Sequence, residues 1–181
     1  MWHLIIPPVM TLLDDFEAKH KLQGVFVVQE MLQRVPKGLL KRTGVDGLLR
    51  QVCPSRSFWF YRTLNLSKSL KTSLSHLQSP ETAPLLKNAI FASISLTILT
   101  TSVSPGSKPT SERFDQLSLL LGEGIISGIW LYAEDKPDVI KATFDTLPRL
   151  LRALGIGSVR FLKVCFKLVE LAAKSQPMSR H

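Results

Sequence analysis

The sequence predicts an all-α fold organised as a stack of helix hairpins, on three observations. Residues 7–25 read as a short apolar helix, an acidic corner at Asp14-Asp15 and a second helix. A second acidic corner, Glu134 to Ala142, again opens an apolar helix far downstream. No apolar/polar alternation persists long enough to support a sheet. With 181 residues and 45% hydrophobic content the chain is long enough for one sizeable core, or for three to four stacked helix pairs of roughly 40 residues each. A single α-helical repeat domain over 1–181 is expected, with 52–76 and 164–181 irregular or open between readings.

At the start of the first hairpin, Pro7-Pro8 should open a helix or lie outside one, because proline lacks an N–H and clashes with the preceding turn. Asp14 and Asp15 then accept hydrogen bonds from the free N–H groups of the next helix. That helix is expected over Ala18 to Arg34, where Leu22, Val25, Phe26, Val28, Met31 and Leu32 fall mostly on one side and Lys19, Gln23, Glu30, Gln33 and Arg34 fill the rest. Pro36 and Gly38 end it. Leu39 to Gly47, with glycines at 44 and 47, suits a loop or broken turn, and a short helix over Asp46 to Val52 is expected to follow.

From Cys53 to His76 strand and helix are both compatible with the pattern, because Phe58-Trp59-Phe60-Tyr61 has no amphipathic spacing. Ser79-Pro80-Glu81 is a helix start with a serine cap, proline at the first position and an acid in the first turn. The helix should run to about Thr101. Ser104 to Pro109 is a turn-rich connection. Three helices follow: Ser111 to Leu131, Lys136 to Leu154 and Ser158 to Lys174. Pro137 and Asp138 suit a first turn, and Pro148 should kink the middle helix. Gly155-Ile156-Gly157-Ser158 supplies a glycine stop and a serine restart.

Few residues point to chemistry. Gly122 to Gly128 superficially resembles a phosphate loop, yet it continues a helical pattern and lacks the lysine of a P-loop; small residues there suit close approach of neighbouring helices. Asp14, Asp15 and Glu17 are better read as capping groups than as an acid–base set with His20, which is read as incidental. The four histidines offer no i, i+4 metal pair, and Cys53 and Cys165 fit neither a metal spacing nor a disulfide framework, so a reducing compartment is expected. No catalytic residue, cofactor or metal is assigned. Arg56 to Arg62 interleaves aromatics with arginines, a weak nucleic-acid signal set against core burial. Trp130-Leu131-Tyr132 suits either core packing or an interface anchor.

A charge of +9 favours an acidic partner, nucleic acid or an anionic surface without choosing among them, and the basic residues are scattered as on a solvated face. Residues 1–8 lack a basic n-region and reach two prolines early, so no secretory signal is expected. The apolar run from Asn88 to Val103 falls short of about 18 residues and is rich in Ser and Thr, which favours a buried helix over a membrane span.

Four segments together carry a resemblance: Pro8 to Phe16 (PVMTLLDDF), Leu39 to Gly44 (LLKRTG), Gly124 to Ala133 (GIISGIWLYA) and Leu147 to Val159 (LPRLLRALGIGSV). In this order they resemble the Tel-two-interacting protein two family, fungal members above all, over roughly Ile5 to Arg50 and Leu77 to Lys163. The resemblance implies a HEAT-like α-solenoid of antiparallel hairpins. It also implies a non-catalytic third subunit of the Triple T (TTT) complex, a cochaperone that works with the Hsp ninety system to mature phosphatidylinositol-3-kinase-related kinases in cytoplasm and nucleus. The implied partners are the other Triple T subunits directly, and the kinases and chaperones indirectly; no small-molecule substrate, membrane or nucleic acid is expected. By motif position, Asp14, Asp15, Arg42, Thr43 and Gly44 form the acidic corner and inter-repeat turn, and Trp130 and Tyr132 the later helix end. These seven are the implied partner-binding candidates. The rival readings are a basic helical module that binds nucleic acid, a peripheral membrane protein using Asn88 to Val103, and a non-functional fragment of the family.

Overall fold

The computed structural model describes residues 2–15, 17–45, 79–101, 111–131 and 136–174. Among these residues every element is helical and there is no strand, which gives the all-α class expected from the sequence. The expected helix over Asp46 to Val52, the ambiguous segment Cys53 to His76, the Ser104 to Pro109 connection and the corner at Glu134-Asp135 lie outside the described residues.

Helix α1 (Trp2–Asp14) holds Pro7 and Pro8 in its interior, not at its start as expected. The two rings remove the hydrogen bonds that would reach the carbonyls of His3 and Leu4, both in the first turn. Leu4, Pro7 and Pro8 are exposed, so water reaches this side, while Ile6, Val9 and Leu13 are buried at spacings of three and four. Burial of that face outweighs the lost bonds.

Helix α2 (Ala18–Arg34) has the expected bounds and buries Gly24, Val25, Val28 and Met31, with Leu22 and Leu32 partly covered. Phe26, assigned to the same face, is instead 46% exposed. Gly24 is where α1 and α2 approach: a Cβ there would stand 3.1 Å from Leu12 and Leu13 side-chain atoms. Gly38 does not end a helix but lies inside a short α3 (Lys37–Arg42), started by the Pro36 carbonyl, which accepts from the N–H groups of Leu39 and Leu40. The break falls at Gly44, whose φ of 69° is the left-handed conformation that glycine reaches without strain.

Helix α4 (Thr82–Thr101) organises the molecule. Leu85, Ala89, Ala92, Leu96 and Leu99 form one face and pack with α1, α2 and α3. Ile90 and Ile94, flanked by Leu86 and Ile98, form the opposite face and pack with the C-terminal helices. A helix buried on two sides must be apolar nearly all round, which explains why this one has the length and apolar composition of a membrane-crossing helix. Its serine and threonine hydroxyls are partly absorbed by the backbone, with Ser93 donating to the Ala89 carbonyl and Thr101 to that of Thr97.

Helix α5 (Ser111–Leu119) passes without a break into a π-helical stretch, Leu120–Trp130. The span matches the expected helix, but the wider turn was not foreseen. Gly128 shows why the sequence tolerates it: a Cβ there would lie 3.0 Å from the Glu123 carbonyl, five residues back. That glycine makes room for its own helix, whereas approach between neighbouring elements occurs at Gly122 beneath Phe161 and at Gly157 beneath Phe114.

The helix expected from Lys136 to Leu154 with a kink is two helices, α6 (Pro137–Phe144) and α7 (Leu147–Leu154). Pro148 cannot bond to the Phe144 carbonyl and would crowd it, so the chain turns at Asp145-Thr146 and restarts with Pro148 in a first turn, where a missing N–H costs nothing. The Thr146 hydroxyl and N–H both donate to the Thr143 carbonyl and fix the turn. Gly155, at φ 59°, stops α7, a 3₁₀ turn covers Gly155–Ser158, and α8 (Val159–Lys174) follows. α1 packs on α2, α2 on α4, and α4 on α5, α6 and α7.

Candidate partner-binding site

The sequence-implied residues fall in different places. Asp14 is the exposed last residue of α1. Asp15 turns the corner: its Oδ1 accepts the Glu17 N–H at 2.8 Å and its Oδ2 lies 2.9 Å from His20 Nδ1. The bonded donor is the N–H of the residue that precedes α2, which has no side-chain cap, so Asp15 holds the corner instead of capping the helix as expected, while Asp14 closes the preceding helix and takes no part. The His20 contact was not read from the sequence, because the corner, and not helical periodicity, brings positions 15 and 20 together. Arg42 is exposed at the end of α3, Thr43 donates its hydroxyl to the Leu39 carbonyl at 2.8 Å, and Gly44 is the left-handed turn. The core neighbours of these residues, Leu13, Leu40 and Val45, belong to one cluster.

Trp130 lies in the other cluster. It is 5% exposed, its indole N–H donates to Thr143 Oγ1 at 2.7 Å, and its ring stacks on Phe144 with centroids 5.0 Å apart. Of the two roles open to it, core packing is the one it fills. Tyr132 lies outside the described residues, as do Cys53, the Arg56 to Arg62 cluster, His76 and His181. Among the described residues no group of three or more His, Cys, Asp or Glu is close enough to hold a metal. Cys165 is a buried free thiol whose pKa is pushed up by that burial.

A further concavity lies elsewhere, where α2, α3, α4 and α7 meet. It is a cleft of about 330 Å³ with Leu32, Phe91, Ile98 and Leu99 as its apolar lining and Gln29, Gln33, Lys37, Ser95 and Arg149 as its polar part. Gln29 is fixed by donating to the Asn88 carbonyl at 2.8 Å. Arg149 donates to Ser95 Oγ at 2.9 Å and lies over the Phe91 ring, 5.2 Å from its centroid. One edge and one face of the guanidinium are thus held, and the side chain is otherwise exposed. Arg149 lies within a family-like segment, but nothing local marks it as a site residue, because Ser95 and Phe91 are 54 and 58 positions away and no local spacing links them.

No solved structure matches the chain. The Tti2 family matches it over residues 1–55 and 65–171, so the likeness reaches into 65–76 and 164–171, beyond the stretches that carried the resemblance. With all but a short gap and the last residues matched, the chain belongs to the Tti2 family, the one its sequence segments resemble.

Proposed function

We propose that this protein is the Tti2-type subunit of the Triple T complex: a non-catalytic scaffold that supports the maturation and stability of phosphatidylinositol-3-kinase-related kinases with the Hsp ninety system, in cytoplasm and nucleus. The observation that carries the reading is family membership over nearly the whole chain. The architecture supports it. Helices layered in succession around α4 suit a HEAT-like solenoid, whose repeats expose long surfaces to protein partners. The surface supports it as well, because α8 turns Cys165 inward and leaves Val159, Leu162 and Phe166 exposed beside Arg160 and Lys163. The binding surface of such a scaffold is apolar and basic.

The test is affinity purification of the tagged chain from its source cells at moderate salt, with co-purifying proteins identified by mass spectrometry. Recovery of the other two Triple T subunits is expected, with little loss as salt rises, because an apolar interface is weakly screened. Recovery of nucleic acid instead, falling steeply with salt, would replace this reading with the basic-module one that the +9 charge allows.

A further inference from the structure

We infer that the cleft between α2, α3, α4 and α7 is a docking site for an acidic segment of a protein partner, one that places an apolar side chain on the cleft floor and a neighbouring Asp or Glu carboxylate on Arg149. The inference rests on the scaffold reading and deepens it by naming the chemistry of one contact.

Three features select this occupant. Among the described residues the lining carries two cations, Lys37 from α3 and Arg149 from α7, and no acid, and neither cation has an acidic partner. Charge complementarity therefore requires a negative ligand. The Arg149 fork is already ordered by Ser95 and Phe91, and its remaining N–H donors match a carboxylate with little further loss of side-chain freedom. The floor is apolar, with Leu32, Ile98 and Leu99 beneath, and a cleft of about 330 Å³ takes a few side chains but no folded element. An apolar residue beside a carboxylate, as on one edge of an amphipathic helix, fills both parts. Two exposed acids, Asp145 and Glu30, are engaged by Lys87 and Arg34, not by the cleft cations.

The experiment places a photo-crosslinking benzoylphenylalanine at Gln33, an exposed lining residue, in the full chain and purifies the complex with the other Triple T subunits. The expected crosslink joins Gln33's position to a peptide of another subunit that carries an Asp or Glu within one helical turn of the attachment point. Arg149→Glu and, independently, Lys37→Glu should each lower its yield about tenfold, as charge reversal at a partly desolvated contact does. Arg152→Glu, one turn along α7 and outside the cleft, should leave the yield unchanged. Lys37 is exposed, so its variant keeps the test valid should Arg149→Glu unfold the chain, which circular dichroism reads separately. Normal assembly without a crosslink, a crosslink within this chain or to a second copy of it, an attachment peptide without an acid, or a yield from both cleft variants equal to that of the otherwise unsubstituted chain overturns the inference and leaves the scaffold reading intact. Failure of the unsubstituted chain to recover either subunit overturns both.

Discussion

At the residue scale, the acidic corner separates two neighbouring carboxylates that look equivalent in sequence. Asp15 accepts the Glu17 N–H and faces His20, so Asp15→Ala should destabilise the protein by about 1 kcal/mol in urea unfolding, as for a lost hydrogen bond that holds a turn. Asp14 sits at the negative end of the α1 dipole, where removing an acid should be neutral or stabilising by about 0.3 kcal/mol. Equal losses in the two variants would refute the division of roles. Asp145 offers a second case. The Lys87 ammonium donates to it at 2.7 Å, and this hydrogen bond, followed by the Coulombic attraction, holds the carboxyl below its ordinary value. A folded-state pKa below the unfolded one means that the contribution is present above the unfolded value and is lost as pH falls through the folded one. In an NMR titration, Lys87→Met should move the Asp145 midpoint upward; an unmoved midpoint would show that the pair does not form in solution.

At the element scale, the location of a proline decides the sign of its effect. If Pro148 stood inside one helix, Pro148→Ala would stabilise the chain by about 3 kcal/mol by restoring a bond and removing a clash. In the first turn of α7 the ring sets a φ the helix needs, so the same substitution should cost up to about 1 kcal/mol through the freer unfolded chain. Chemical denaturation distinguishes the two directly. The sequence showed helix on both sides of Asp145-Thr146, but the choice between a kink and a break depended on Thr143 and Thr146, whose side chains fix the turn from a distance of only a few residues. A similar limit applies to the π-helical stretch. Its apolar spacing reads as helix, while the widening depends on Gly128 leaving space over its own backbone.

At the scale of the whole molecule, α4 couples two hydrophobic clusters that would otherwise be separate. Leu96 faces one and Ile94 the other, both buried. Leu96→Ala and Ile94→Ala should each cost about 2–5 kcal/mol, the range for truncating a buried aliphatic side chain. Because one rigid helix carries both positions, the two variants should shift a single unfolding transition, with circular dichroism and hydrogen exchange in both halves moving together. Two separable transitions would show that α4 does not unite the clusters.

The sequence by itself determined the helices and the family. Local periodicity, proline and glycine placement, and short quoted segments suffice for these, because a helix is stabilised by residues within a turn or two of one another. It also located the helix ends at Arg34 and Thr101 and the stop at Gly155. What only the tertiary structure decided was which apolar residues face inward and which side chains meet. Trp130 became core through Thr143 and Phe144, Phe26 was left exposed, and α4 proved apolar on both faces because it lies between two layers. The cleft is the clearest instance. Its Lys37, Phe91 and Arg149 come from three helices far apart in the chain, and long-range packing alone makes them neighbours.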